Sequence, residues 1–536
     1  MNMKKLVFTS LIMLTFIIGS KAEVKIIPRP ANIVMKEGSF QLTVTTPIIS
    51  DKETRSEAEY LASVLENGFG QKPLIKRNGK GIILVLNSGL KEKLGDEGYR
   101  LKSQPDKIVI EGATNAGIFY GIQSLRQLLP ANFEFNPQKS KNAAVQALQI
   151  TDKPRFPWRA FMLDESRHFK GMEEVKNLLD QMALLKMNTF HWHLTDDQGW
   201  RIEIKKYPNL TKIGAFRKDT QTSRRSAERT GVPHGGFYTQ EQIKKIIRYA
   251  QERHILIVPE IEMPGHAMAA IAAYPWLGTL GTTTEVPVTF GKMEDSYNVA
   301  DPKVYQFIED VLNEVFSLFA GKVVHIGGDE VNFVPWKNSA MMQAMMKKEG
   351  LSSPVDLQIF FTNKISNFID KSGHRMMGWN EILGGNVHEL KNEEDTQVTK
   401  TLAKSAIIHF WKGNLDLIEK AVSEGYDVVN SYHADTYLDY DYQKLPLSKA
   451  YSFDPIPEGL SEKYDSKILG TGCQIWSEWI PETKQMQMQI FPRLAAYAEV
   501  GWTTKSEKNY TDFINALDEL KVRWKLEGIS YHEDEK

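Results

Sequence analysis

Apolar and polar positions follow two different rhythms along this chain, and the change falls near residue 150. Before it, short apolar runs at 81–86, 98–101 and 108–110 read as strands separated by polar, glycine-containing turns. Ile118, Ile122, Leu125 and Leu129 recur at helical spacing over 113–129, and Pro130 stops the pattern. These elements predict a small α+β domain over 23–149. The stretch 132–144 is polar and poor in apolar residues, which places a boundary there or just beyond.

From 150 to 536, strand, loop and helix alternate. Apolar runs fall at 160–163, 189–194, 255–261, 323–326, 376–379, 406–411, 428–432 and 468–476. Between them lie amphipathic helices. Val175, Leu178, Leu179, Met182 and Leu185 form one stripe; Ile243, Ile246, Ile247 and Ala250 form another, entered by Thr239 and Gln242 as a capping box. Asp301-Pro302 opens a third, with Phe307, Ile308, Val311, Val315 and Phe319 on one side. Eight strands alternating with helices predict an α/β fold, a (β/α)8 TIM barrel preceded by the α+β domain. A doubly wound open sheet is the rival, but no glycine-rich nucleotide fingerprint follows the first strand.

Barrel enzymes gather their chemistry at strand C-termini, which gives a filter. The fourth run, VVHIGGDE at 323–330, breaks at two glycines and delivers Asp329 and Glu330 there. Adjacent carboxylates repel, so one pKa rises, which suits a proton donor at neutral pH. The other runs end in Asp164, Arg167 and His168; His191, His193, Asp196 and Asp197; Glu262 and His266; Trp379 and Glu381; Trp411; Tyr437 and Asp439; Trp476 and Glu478. Carboxylates mixed with aromatic rings suit a sugar, whose hydroxyls take polar groups while its C–H faces take flat rings.

Plainer readings stand beside this one. His193 and His325 read as hydrogen-bonded strand residues, Arg167 as an ion-pair partner of Asp164, Cys473 as buried filler and 217–229 as a solvated loop. His191-Trp192-His193 has the spacing of two imidazoles on one strand face, as a metal-dependent amidohydrolase would use. The later strand ends offer Trp, Tyr and carboxylates where that reading needs more ligands. A sugar-binding protein on an inactive hydrolase scaffold is a third possibility.

Composition changes the picture in two places. Lys and Arg total 66 against 67 Asp and Glu, a net charge of −1, which argues against nucleic-acid or anionic-membrane partners. The first 22 residues carry two early lysines, an apolar core at 6–19 and small residues before a cleavage point after Ala22. They predict a signal peptide, hence a periplasmic or secreted protein with no membrane insertion after cleavage. One cysteine allows no intrachain disulfide. Nothing in the sequence sets an oligomeric state.

The blocks LDESRHF, KMNTFHWHLTDDQGWRIEIKKYPNLT, PEIEMPGH, HIGGDEV, GWNEI, HFWKG and QIWSEW run in this order through the barrel. In them the chain resembles the exo-acting β-N-acetylhexosaminidases, glycoside hydrolase family 20, and its first domain resembles their α+β companion. The resemblance implies removal of terminal non-reducing β-linked GlcNAc or GalNAc from oligosaccharides or glycoconjugates, with retention, through the substrate's own acetamido group, and without cofactor or metal. It implies Glu330 as general acid and Asp329 as partner of the acetamido N–H. Tyr437 would bond the acetamido carbonyl, and Trp379, Trp411 and Trp476 would wall its methyl group. Arg167 would hold ring hydroxyls with Asp439 and Glu478, while Asp196 and His266 would support the carboxylate pair. Glu262 stands where the family often has Asp.

Overall fold

The computed structural model describes residues 24–291, 293–319, 321–384 and 402–533, so the segment read as a signal peptide lies outside the described residues. The N-terminal part is a seven-stranded sheet ordered Asn32–Thr43, Asn142–Asp152, Tyr99–Gln104, Lys107–Gly112, Ile82–Leu86, Ile48–Ile49 and Ile75–Lys76. Helices Arg55–Phe69 and Asn115–Leu128 pack on it. The three strands and the helix expected from the sequence are all present.

The stretch 132–144 differs from the expected linker. Phe133 is buried against Phe69, and Glu134 is buried because Arg126 and Arg523 neutralise it. From Asn142 the chain pairs with Asn32–Thr43 and Tyr99–Gln104, and this strand continues to Asp152, past the boundary read at 149.

Eight parallel strands then close a barrel: Trp158–Asp164, Thr189–His193, Leu256–Glu260, Val323–His325, Arg375–Trp379, Ile407–Phe410, Asp427–Asn430 and Ile468–Ile475. Each matches one of the expected runs. The helices between them form as their apolar stripes require. Thr239 and Gln242 make the reciprocal capping box of helix Gln240–Gln251, and Asp301 caps Pro302–Leu318 with proline in the first turn.

The barrel interior is layered, as alternation along parallel strands demands. Trp158, Ala160, Val258, Val323, Met377, Ile407 and Val429 form an apolar floor. Two residues further along the same strands the next layer is polar: Glu260, His325, Trp379 and His409, with His193 paired in register to Glu260.

Polar side chains also weld the two parts together. Asp152, the last residue of its strand, accepts from Tyr99 Oη (2.8 Å), from Trp502 Nε1 (3.0 Å) and from the fully buried Lys186 Nζ (3.3 Å). Arg159 of the first barrel strand forks onto Glu97 at 2.8 and 2.9 Å, against the ring of Trp502.

Candidate active site

The turn after the fourth barrel strand is held open by glycine. Gly327 (φ +64°) and Gly328 (φ +92°) both occupy the left-handed region. A Cβ on Gly327 would lie 1.7 Å from Glu262 Oε2, so the turn can rest on that carboxylate only without a side chain. Glu330 adopts φ +46°, a strained conformation for a non-glycine residue that lifts its carboxylate toward solvent. Its side chain is 40% exposed, against 12% for Asp329.

This difference assigns the elevated pKa of the pair. Burial, then the charges of Glu381 and Glu330, push Asp329 up to about 8, with His266 opposing. The adjacency of the carboxylates was legible in the sequence, but the group it elevates is the partner of the expected acid. Among the described residues, Asp329 Oδ1 has no hydrogen-bond partner.

His266 faces both carboxylates, its Nε2 at 3.7 Å from Asp329 Oδ2 and 3.8 Å from Glu330 Oε2. Its Nδ1 lies 3.2 Å from Asp196 and from Asp197. Burial works against a charge on His266, but Asp196 and its neighbours outweigh it and hold the pKa well above the usual imidazole value. Burial likewise resists the Asp196 anion, but Arg167 and His266 keep it ionised. Glu262, in the same layer, is pushed well above the carboxylate range by burial, Asp329 and Glu260.

Four rings stand beside the carboxylates. Trp411 and Tyr437 are parallel, 6.1 Å apart at 7°. Trp379 meets Trp411 at 6.4 Å and 70° and Trp476 at 6.0 Å, and Tyr437 closes on Trp476 at 6.0 Å. The set is fixed from behind: Trp379 stacks on His409 at 4.2 Å, and Trp411 Nε1 donates to Glu381 at 2.8 Å. A small apolar group bearing one polar atom fits such a wall.

A charged edge adjoins the wall at Trp476. Arg167 bonds Asp164 at 3.3 Å and Asp196 at 2.7 Å, so the ion pair read from the sequence exists and joins the site. Its guanidinium sits 5.1 Å from the ring of Trp476. Glu478 feels Arg167, and Asp439 is raised to about 7 by burial and by Glu478. Most residues singled out by the strand-end filter are linked through these contacts; His168 is turned away, its Nδ1 at 2.6 Å from the Ser477 carbonyl and its ring against His234 and Phe290.

His193 and His325 are buried and hydrogen-bonded, and Cys473 is fully buried, as expected. In the loop 217–229 the reading fails at Arg217, which is buried and bonds Thr220 and the Gln198 carbonyl. Arg224, although exposed, lies 5.9 Å from the Trp479 ring and acts on Asp439, so this loop borders the site.

Glu260 lies outside the strand-end rule because it sits inside a strand and precedes the loop; its sequence signal is a carboxylate in an otherwise apolar run. It gathers His191, His193 and His325 at 2.9, 2.6 and 2.7 Å. Only the His193 contact has hydrogen-bond geometry; His191 Nε2 and Glu260 Oε1 are buried without a hydrogen-bond partner among the described residues. The His-x-His pair is turned onto this carboxylate.

The profile of glycosyl hydrolase family 20, catalytic domain, matches residues 156–505, and that of glycosyl hydrolase family 20, domain 2, matches residues 23–153. A β-hexosaminidase of Porphyromonas gingivalis is 36% identical over 530 residues, covering 95% of this chain; the chain spans 64% of that protein's length. A β-hexosaminidase of Vibrio furnissii is 34% identical, covering 90% of this chain and 77% of its own. Among solved structures, the exo-β-N-acetylglucosaminidase of Vibrio harveyi with bound N-acetylglucosamine superposes with a TM-score of 0.81 at 33% identity, covering 95% and 78% of the two chains. The β-N-acetylhexosaminidase of Streptomyces coelicolor gives 0.81 at 30% identity over 96% and 98%. With both profiles matched in sequence order and the barrel and its companion sheet in place, this chain belongs to glycosyl hydrolase family 20.

Proposed function

We propose that the protein is an exo-β-N-acetylhexosaminidase that removes terminal, non-reducing β-linked GlcNAc or GalNAc by a retaining, substrate-assisted mechanism. The observation that carries this reading is the buried carboxyl of Asp329 set beside the wall of Trp379, Trp411, Tyr437 and Trp476, with exposed Glu330 next to it. A nucleophilic carboxylate needs open access to the anomeric carbon, whereas Asp329 is enclosed and better suited to an N–H.

In the first step the acetamido carbonyl oxygen attacks the anomeric carbon. Glu330 delivers its proton to the glycosidic oxygen as that bond breaks, and the sugar closes to an oxazolinium ion. Asp329 releases its resting proton to solvent as the sugar docks, accepts the acetamido N–H as the anion and offsets the positive charge, and Tyr437 Oη donates to the attacking oxygen. In the second step Glu330 takes a proton from water, which attacks the same carbon and reopens the ring. Two displacements retain configuration. The aromatic wall fixes the acetamido group for intramolecular attack, an advantage of several kcal/mol or more. Arg167, Asp439 and Glu478 hold ring hydroxyls, and the signal sequence at 1–22 exports the protein.

The test is a pair of nitrophenyl glycosides differing only at C2. The N-acetylglucosaminide is hydrolysed and the glucoside is not. Comparable rates on both, or a covalent sugar adduct on a protein side chain, would overturn the mechanism.

A further inference from the structure

We propose that Glu260, one layer beneath the carboxylate pair, is a positioning residue for the reaction, aligning Asp196 and His266 through His193 and the Asp329–Glu330 turn through His325. The inference deepens the hydrolase reading above and rests on it for its kinetic part.

The geometry is a chain of alternating acids and bases. Glu260 Oε2 takes His193 Nδ1 at 2.6 Å, and His193 Nε2 reaches Asp196 Oδ2 at 2.9 Å. Asp196 grips Arg167 at 2.7 Å and His266 at 3.2 Å, and His266 faces Asp329 and Glu330. An imidazole bridging two carboxylates can bond both only by donating from both nitrogens, which requires the imidazolium. His193 therefore fixes the angle of Asp196, and Asp196 fixes which nitrogen His266 turns toward the reacting carboxylates.

A second arm runs along the neighbouring strand. His325 Nδ1 lies against Glu260 Oε1 at 2.7 Å without a hydrogen bond between them, and accepts instead from the Gly327 N–H at 3.0 Å, so the ring seated on Glu260 holds the glycine turn that leads to Asp329. His325 Nε2 meets His409 Nδ1 at 3.2 Å, and His409 Nε2 meets Ser431 Oγ at 2.8 Å. Backbone register reinforces it, because Glu260 pairs in sequence register with both His193 and His325. One carboxylate thus ties three adjacent strands at the level from which the site's loops depart. Glu260, His193, His325 and His409 are all buried; bonds from His193 and between His409 and Ser431 replace part of the solvation they lack, while Glu260 Oε1 has no hydrogen-bond partner among the described residues.

The groups facing His193 are Glu260 and Asp196 in direct contact, Glu262 Oε1 at 3.9 Å, Asp164 nearby and the edge of Trp476. Burial opposes the imidazolium, but Glu260 and Asp196 hold its pKa up to about 10. The charge is retained through neutral pH and lost as pH rises past that value.

The experiment compares wild type with Glu260→Gln and Glu260→Asp. For folded Glu260→Gln, kcat on a nitrophenyl N-acetylglucosaminide falls about 10- to 100-fold, the scale of a small misplacement of reacting groups, with KM within about threefold. Its activity also falls away at lower pH on the alkaline side, because His193 loses its proton earlier. Glu260→Asp keeps the charge and so keeps the wild-type alkaline limb despite a lower kcat. Ring-proton NMR of His193 in the wild type shows a doubly protonated imidazole above pH 8. A folded Glu260→Gln protein with wild-type kcat and pH profile would overturn the proposal. So would a loss that merely tracks the folded fraction, or a His193 that titrates below pH 8. The NMR measurement is made on resting wild-type protein, so it decides the charge chain even if Glu260→Gln fails to fold or the substrate assignment is wrong.

Discussion

Replacing Asp329 by Asn trades activity for stability, and both sides of the exchange can be sized. In the resting protein the carboxyl sits at about 8 instead of 3.8, raised first by burial and then by Glu381 and Glu330. At about 1.4 kcal/mol per pKa step, the anion is disfavoured by at most about 5–6 kcal/mol, and relaxation around a partly open cleft brings a realistic figure nearer 2–3 kcal/mol. The folded state holds the extra proton, so stability is lost as pH climbs from about 4 through 8 and is flat beyond. Asn carries no such liability. For a chain of this size the variant should unfold about 2–3 °C above wild type at pH 9, and with little difference at pH 5. Activity moves the other way. Asn can still accept an N–H through its carbonyl but supplies no charge, and one charge at about 4 Å in an effective dielectric of 20 is worth about 4 kcal/mol. That corresponds to about 10³-fold in kcat. Thermal unfolding at the two pH values and steady-state hydrolysis of a nitrophenyl N-acetylglucosaminide measure both arms. An equal shift in unfolding temperature at pH 5 and pH 9 would refute the burial argument, and a kcat within tenfold of wild type would refute the charge-balancing role.

Two further outcomes follow from the same geometry. Glu330→Gln should lose about 10²–10⁴-fold on alkyl glycosides, which need a protonated leaving group, and less on nitrophenyl glycosides; equal losses on both would remove Glu330 from proton delivery. Lys186→Met should destabilise the protein by about 2–4 kcal/mol in urea unfolding, because buried Asp152 keeps neutral donors (Tyr99, Trp502 and the Ala31 and Lys153 N–H groups) but no cation. Adding Asp152→Asn should recover part of that loss, and a Lys186→Met protein as stable as wild type would show that the pair contributes nothing.

The barrel was legible because its strands are buried on both faces and read as apolar runs, each of which became a strand. The strands Asn32–Thr43 and Asn142–Asp152 were not. They pair across more than 100 residues, one of them carries a register shift between Met35 and Ser39, and their outward positions are polar, so neither shows a clean local period. The strand-end filter found the aromatic wall and the carboxylate pair because both depend on position along a strand. Which carboxyl is elevated depends on the burial of Asp329 and on Glu381, from another strand end, lying near it, and no spacing encodes that. Glu260 was hidden for a related reason: three strands far apart in sequence must lie side by side before its histidines surround it.

The side chain of Asp152, where the first sheet ends, neutralises a lysine that belongs to the barrel. A barrel expressed from residue 153 onward would carry Lys186 into its interior with no counter-ion, and the severed sheet would keep an anion stripped of its cation. Separation therefore leaves one unmatched ion on each side of the cut, and each half should be less stable alone than joined.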